Sequence, residues 1–341
     1  MAKKFLQVLA GEAVWPPPIW LMRQAGRYLP EYRQLRAQAG DFIQLCMTPQ
    51  LAAEVTLQPI SRFGFDAAIL FSDILLVPWA LGQGLRFAEG EGPVLPPLRD
   101  AAELARLDPL RMMSALGPVL ETVQRVQAGL GPHTALIGFA GAPFTVACYM
   151  VEGGGSRDFA ATRAMAFAEP ALFAALMDML TAATIEFLAA QVSAGAEAVM
   201  LFDSWAGVLS PAQFRQHVIA PARQIVLALR QRFPAVRIIG FPRLAGMMLG
   251  EYAEATGVDA VGMDTATDPV RAATMVGPHI ALQGNLDPMA LLAGGAALQA
   301  EVNRILAVLR GRPFVFNLGH GIVPQTPVAH VAELLALVRA G

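Results

Sequence analysis

The chain has 341 residues, of which 55% are hydrophobic and 15% are charged, and its formal net charge is −2 at pH 7. A chain this apolar can bury a large core, which excludes an intrinsically disordered protein. The small net charge argues against a general nucleic-acid or membrane-surface binder, although six Lys/Arg against two acids make the first 40 residues locally basic.

Short apolar runs recur along the whole chain, each followed by Gly, Pro, Ser or Asp and then by a longer segment with helical spacing. Such runs predict buried strands. The predicted strands are 19–22, 67–71, 135–139, 198–202, 237–241, 260–263, 280–283 and 314–317. Strand–helix alternation without an antiparallel block favours a parallel sheet, and eight such strands predict an α/β fold with one (β/α)₈ TIM-type barrel. Because we find no repeat or linker, we expect residues 1–341 to form a single domain.

The lysines and cysteines exclude several classes of enzyme. Lys3 and Lys4 are the only lysines, so no internal lysine is present to form a Schiff base or to complete a P-loop. Pyridoxal-phosphate enzymes and class I aldolases are thereby excluded. Cys46 and Cys148 have no Cys or His partner at metal-ligand spacing, which predicts buried thiols and no metal site.

Two segments bear on the location of the protein. The first residues contain a short apolar patch that Gln7 and Glu12 interrupt, which is too short for the core of a signal peptide. The most apolar later stretch, residues 171–202, contains three acidic residues and is not predicted to span a membrane. We therefore expect a soluble cytoplasmic protein.

Charged, polar and glycine residues follow several of the predicted strands directly. "RQAGR" follows the first strand, "SD" the second, "AGAPFT" the third, "DSWAG" the fourth and "LGHG" the last. In a barrel, the carboxyl ends of the strands form one rim, and active sites are built there. Residues that are far apart in sequence are thus expected to converge at one mouth.

Arg23 and Arg27 are the first candidates for binding at this mouth. A helical turn after the first strand would project both side chains to one side, and Gly26 would allow close approach of a ligand to the backbone. A guanidinium binds a carboxylate or phosphate through two parallel hydrogen bonds. The structural alternative is an ion pair with an acid such as Glu31.

Four further polar residues lie near predicted strand ends or in the helix that follows one. Asp73 follows "AAILFS", where its alternatives are a helix cap or a salt bridge with one of the arginines. His320 lies between two glycines, which predicts a tight turn that presents the imidazole, although a structural histidine remains the alternative. Ser204 does not fit the G-x-S-x-G nucleophile elbow, and Tyr149 fits a core tyrosine equally well.

Five segments together resemble the uroporphyrinogen decarboxylase family. In chain order they are "PIWLMRQAGRYLPEYR", "FSDILLVP", "GFAGAPFTVACYMVEGGGS", "FDSWAGVLSP" and "NLGHGIVPQTP", and they extend from about Trp15 to Thr326. One departure is Trp79, where the family pattern leads us to expect a smaller or acidic residue. The resemblance implies a single-domain barrel, commonly a homodimer, that acts without a metal or an organic cofactor. It also implies conversion of uroporphyrinogen III to coproporphyrinogen III by decarboxylation of four acetate side chains.

The resemblance also implies roles for individual residues. The substrate has eight carboxylates, which Arg23 and Arg27 would bind, while Asp73 would accept hydrogen bonds from the pyrrole N–H groups at the centre of the macrocycle. The implied catalytic residues are Asp73 and Arg23. The implied substrate-binding residues are Arg23, Gln24, Ala25, Gly26, Arg27, Asp73, Tyr149, Ser204 and His320.

The proton donor and two rival functions stay open at this point. A protonated carboxyl, Tyr149 or a water held by the arginines would each serve as the donor, whereas arginine is a poor acid near neutrality. A zinc-dependent methyltransferase on the same barrel would need a His-x-Cys motif where this chain has Phe241-Pro242-Arg243. A non-catalytic tetrapyrrole-binding protein is the other rival.

Overall fold

The computed structural model describes residues 3–88 and 92–341. Its strands are β1 (Ala67–Ile69), β2 (Arg86–Ala88), β3 (Gly92–Val94), β4 (Ala135–Gly141), β5 (Ala198–Asp203), β6 (Arg237–Pro242), β7 (Ala260–Gly262), β8 (Ala281–Leu286) and β9 (Phe314–Leu318). Seven of them form one parallel sheet in the order β1-β4-β5-β6-β7-β8-β9, and β2 pairs with β3 in a small antiparallel hairpin. The strands after the first predicted one are thereby confirmed, with ends shifted by a few residues.

The predicted strand 19–22 is wrong as a regular strand. This segment makes a single parallel bridge, between Ile19 and Phe316 of β9. It nevertheless closes the sheet, because Phe316 N donates to Pro18 O at 2.9 Å and Asp66 N, just before β1, donates to Ile19 O at 3.0 Å. The ladder stays short because Pro18 has no N–H to donate and because Arg23 leaves extended geometry with φ of +63°. The fold is the expected (β/α)₈ type, with an irregular segment in the eighth position.

Helices connect the strands in the described part of the chain. They are α1 (Lys4–Leu9), α2 (Pro30–Gln38), α3 (Phe42–Cys46), α4 (Pro49–Phe63), α5 (Leu76–Ala80), α6 (Ala101–Leu104), α7 (Pro109–Ala115), α8 (Gly117–Gly129), α9 (Pro143–Glu152), α10 (Ala160–Ala168), α11 (Pro170–Ala194), α12 (Pro211–Phe214), α13 (Ala220–Arg232), α14 (Met248–Thr256), α15 (Pro269–Met275), α16 (Pro288–Ala293), α17 (Gly295–Leu309) and α18 (Val328–Ala340). A 3₁₀ turn (Ala206–Val208) and a π turn (Arg215–Ile219) flank α12. Trp79 lies half-buried in α5 against the core.

The helix α11 is long and apolar enough to span a membrane by length and composition alone. Half of its most apolar 18-residue stretch is buried inside the protein. Phe173, Leu180 and Phe187 are among its buried side chains. These contacts fit a core helix of the barrel, in line with the sequence-based expectation that this stretch does not cross a membrane.

Candidate active site

The loop that carries the two arginines does not form the helical turn expected from the sequence. Arg23 has left-handed backbone geometry, with φ of +63°, and the next helix, α2, begins only at Pro30. Gln24 fixes this loop, since its Oε1 accepts from Leu21 N at 3.0 Å and its Nε2 donates to Ala67 O at 3.1 Å. Gln24 is fully buried, so both polar ends of its side chain serve the fold.

Neither arginine takes the structural alternative raised by the sequence. Glu31 pairs with Arg62 at 2.6 Å, while Arg33 Nη1 donates to the backbone carbonyl of Arg27 at 2.9 Å. Across residues 3–88 and 92–341, no acidic oxygen lies within 4.0 Å of the side-chain nitrogens of Arg23 or Arg27. Both arginines are exposed and available to an external anion.

The side chain of Arg23 lies against the loop that follows β9. A Cβ built at Gly321 would overlap the Cγ, Cδ and Nε atoms of Arg23. The loop after β9 is also tied to this segment by a hydrogen bond from Ile322 N to Met22 O at 2.9 Å. Glycine at position 321 therefore makes room for the stem of the arginine beside His320.

Asp73 lies between the end of β1 and the start of α5. Its Oδ1 accepts from Leu75 N at 2.8 Å, which is the capping contact considered as an alternative. The described residues place no cationic nitrogen within 4.0 Å of this carboxylate, so the salt-bridge alternative is wrong. Burial raises the pKa of Asp73 to about 6, against the opposing effects of the Leu75 N–H and the Arg23 guanidinium.

Tyr149 lies on α9, the helix that begins directly after β4. Its ring makes edge contacts with Trp205 and Phe159, at centroid distances of 6.2 Å and 6.4 Å. Burial raises the pKa of the Tyr149 phenol, and the carboxylate of Asp73 adds to that effect. The hydroxyl therefore stays protonated near neutral pH and can donate a hydrogen bond.

Ser204 directly follows the end of β5, His320 lies two residues beyond the end of β9, and both are half-buried. Burial, together with the guanidiniums of Arg23 and Arg243, lowers the pKa of His320 to about 4. The imidazole is therefore neutral near pH 7. The Arg23 guanidinium lowers the pKa of both Asp73 and Tyr149, and the Asp73 carboxylate raises that of Tyr149, so these candidates from distant parts of the sequence lie near one another at one rim.

A buried polar link lies beneath this rim and was missed by reasoning from the sequence. Asp203, at the end of β5, is 2% exposed and accepts from Thr145 Oγ1 at 2.5 Å. The same hydroxyl accepts from Trp205 N at 3.1 Å. Burial raises the pKa of Asp203 to about 7. The available signal was an acid directly after an apolar strand, the same signal that selected Asp73.

The two cysteines lie in the interior of the protein. Cys46 and Cys148 are both buried, and burial raises the pKa of each thiol well above its ordinary value. Within the described ranges, no three His, Cys, Asp or Glu side chains are grouped so as to hold a metal ion. The expectation of buried thiols is thus confirmed.

Comparison with known proteins identifies the relatives of this chain. The family model for uroporphyrinogen decarboxylase matches residues 1–341. A protein from Granulibacter bethesdensis named uroporphyrinogen decarboxylase is 62% identical over 99% of this chain and 99% of its own length. One of the same name from Acidiphilium cryptum is 61% identical over 99% and 94%. A solved methyltransferase from Methanosarcina mazei has a TM-score of 0.77 at 22% identity, covering 99% of this chain and 97% of its own, which shows the fold alone.

Proposed function

The chain belongs to the uroporphyrinogen decarboxylase family, and we propose that it decarboxylates the four acetate side chains of uroporphyrinogen III at the mouth built around Asp73. It is a carboxy-lyase of porphyrin and haem biosynthesis. The product of four decarboxylations is coproporphyrinogen III. The observation that carries the assignment to this mouth is a partly buried carboxylate with no cationic partner within 4.0 Å in the described chain, at a rim that also holds the unpaired Arg23.

Loss of CO₂ requires a group that accepts the electron pair of the broken C–C bond. Protonation of a pyrrole carbon makes the ring cationic, and the electron pair released from the C–CO₂⁻ bond flows into that ring as CO₂ leaves. The exocyclic methylene that remains is then protonated, and the ring carbon loses the proton it gained, which leaves a methyl group on the aromatic pyrrole. An ionised Asp73 beside the pyrrole N–H groups stabilises the cation, as an oxyanion hole stabilises the opposite charge. One preorganised electrostatic group of this kind is worth about 10²–10³ in rate.

The other candidates hold the substrate. Arg23 and Arg27 bind its carboxylates as charge-assisted, forked donors. The Tyr149 hydroxyl, Ser204 and the neutral imidazole of His320 donate hydrogen bonds to its side chains. Since the amide of Gln24 is engaged within the fold, we assign the contacts of Gln24, Ala25 and Gly26 to their backbone atoms. The proposal uses no metal or organic cofactor.

Anaerobic incubation of chelator-treated protein with uroporphyrinogen III tests this function. The products are oxidised and separated by their number of carboxylates. Stepwise conversion from eight to four carboxylates supports the decarboxylase. Absence of any conversion, in protein that binds the macrocycle tightly, would replace it with the non-catalytic tetrapyrrole binder. Conversion that appears only when zinc is restored would contradict the cofactor-free mechanism.

We further propose that the protein is a homodimer that pairs through its rim. Four exposed apolar side chains support this: Leu244 is 46%, Met247 89%, Val270 53% and Met289 50% exposed. They lie beyond the ends of three neighbouring strands, β6, β7 and β8. Exposed apolar groups gathered on one face are typical of a protein interface.

Light scattering of two matched variants tests the dimer. Met247→Glu places a charge in the proposed interface and is expected to yield monomers, whereas Leu110→Glu, at an equally exposed site on α7, leaves the dimer intact. A monomeric parent protein, or a dimeric Met247→Glu variant, would contradict the rim as the interface.

We also propose a cytoplasmic location and a single domain over residues 1–341. The family match over those residues supports the single domain. Cell fractionation tests the location: activity in the soluble cytoplasmic fraction is expected, and activity that stays with washed membranes would contradict it. Limited proteolysis tests the domain, since a stable fragment much shorter than the chain would point to two units.

A further inference from the structure

Arg243 holds a position opposite Arg23 in the barrel. It directly follows β6, and Arg23 directly follows the closing segment between β9 and β1. Counting that segment as one of eight positions, β6 lies four positions away from it, on the facing wall. Because the carboxyl ends of all eight positions meet at one mouth, the two arginines approach the same space from opposite sides.

The backbone at Arg243 is held from three directions. Its N–H donates to Asp203 O at 3.0 Å, and its carbonyl accepts from Gly207 N at 3.1 Å. The next N–H, that of Leu244, donates to the carboxylate of Asp264. A Cβ at Gly207 would overlap the backbone of Leu244, so the close approach of these loops requires glycine.

Leu244 is in left-handed geometry, with φ of +59°, although its side chain is 46% exposed. Such geometry is unfavourable for a non-glycine residue and is found preferentially at functional sites. Within one protomer, burial of the leucine side chain does not compensate for this cost. The three backbone hydrogen bonds at Arg243 and Leu244 therefore fix the backbone of Arg243 while holding Leu244 in unfavourable geometry.

Arg243 is a half-buried residue with no acidic partner among the described residues. No acidic oxygen lies within 4.0 Å of its nitrogens in the part of the chain that the structure describes. Asp264, a buried acid just beyond the neighbouring strand β7, already accepts from Ala266 N at 2.8 Å and from Leu244 N. The charge of Arg243 also acts on His320, across the mouth.

We propose that Arg243 is a substrate-binding residue that holds a carboxylate of the macrocycle on the wall opposite Arg23. This inference deepens the proposed function and depends on it. Two cationic groups on facing walls match a substrate with carboxylates around its whole circumference, and the neutral His320 lies within reach of both charges. The pair would thereby fix the ring across the mouth, with its centre over Asp73.

Steady-state kinetics of three variants test the inference. Arg243→Gln is expected to lower kcat/KM by about 10- to 100-fold, mainly through KM, the range for loss of a charge-assisted hydrogen bond. Arg243→Lys keeps the charge but not the fork and should recover part of the loss. Arg223→Gln removes the same charge from an exposed site on α13 and should match the parent protein.

The outcomes separate this inference from the proposed function. A parent protein that fails to convert uroporphyrinogen III refutes the function itself. A parent protein that converts it, with Arg243→Gln equal to Arg223→Gln in KM and kcat, refutes the role of Arg243 alone. If Arg243→Gln does not fold, Arg243→Lys decides: a raised KM supports the contact, and parental kinetics overturn it.

Discussion

Replacement of Asp73 by asparagine should separate activity from stability. Asparagine has the same shape and keeps an Oδ1 that accepts from Leu75 N, so the turn before α5 is preserved. The variant loses only the negative charge that we place beside the cationic ring. We expect kcat to fall by about 10²–10³.

The same change should stabilise the fold near neutral pH. Burial raises the pKa of Asp73 from its ordinary 3.8 to about 6. At about 1.4 kcal/mol per pH unit, that difference makes the ionised carboxylate cost the native state about 3 kcal/mol. The sign follows from linkage: a raised carboxyl pKa favours the folded state below about pH 4, and that advantage is lost as the pH rises through about 6.

Asp73→Asn lacks this pH dependence. Compared with the parent protein, it should gain up to about 3 kcal/mol in the free energy of unfolding at pH 7.5, and most of that gain should vanish by pH 4.5. Urea unfolding at the two pH values, together with anaerobic turnover at pH 7.5, measures both effects. Asp178→Asn, on the exposed face of α11, serves as the control and should change neither quantity.

Two results would refute this reasoning. Parental turnover in Asp73→Asn would show that the charge is not used in the reaction. A variant that is less stable at pH 7.5 than at pH 4.5, relative to the parent, would show that the carboxylate is stabilised by its surroundings. Burial without a close cationic partner would then not destabilise the ionised form of Asp73.

Three further predictions follow from the same geometry. The requirement for an ionised aspartate at the mouth predicts that kcat/KM of the parent enzyme falls as the pH drops below about 6; a flat profile from pH 5 to 7 would contradict it. Gly321→Ala should displace the side chain of Arg23 and raise KM at parental stability, whereas Gly131→Ala, with open space around it, should leave KM unchanged. Equal KM values in the two alanine variants would remove the argument for that contact. Thr145→Val deprives Asp203 of its hydroxyl donor and should lower the free energy of unfolding by about 1–3 kcal/mol, most of all above pH 7, where Asp203 is ionised; denaturation that is no easier at pH 8 than at pH 5.5 would argue against it.

The sequence predicts the barrel well because each core strand is a continuous apolar run. Strand β4, for example, is buried at all seven positions. A continuous apolar run of this length fits a strand in a parallel sheet that is covered by helices on both faces. The first run failed as a strand because its geometry depends on a partner 297 positions away, Phe316, and on the local turn at Arg23. Local patterns carry no information about such a pairing.

The site was predictable to the extent that its residues follow strands. Asp73 and His320 were selected on that signal, and Asp203 and Arg243 carry the same signal but were passed over. The ion pair of Glu31 was not predictable, since its partner Arg62 lies two helices further along the chain, on α4. The burial of Gln24 could not be predicted from the sequence either. A glutamine beside two candidate binding arginines is naturally assigned to the ligand, and only its hydrogen bonds to Leu21 N and Ala67 O show that its side chain serves the fold.

The seam between the two ends of the barrel has a consequence for how activity arises in a newly made chain. Met22 N donates to Asn317 Oδ1 at 2.9 Å, across 295 positions of sequence, and Arg23 lies on Gly321. Contacts so distant in sequence carry a large loop-closure cost and form late in folding. During synthesis, an emerging chain would thus display its first arginines without the loop that orients them. The protein would therefore become active only after the closing segment at residues 19–22 has paired with β9. The rate at which turnover appears can thus report closure of the barrel in a folding experiment.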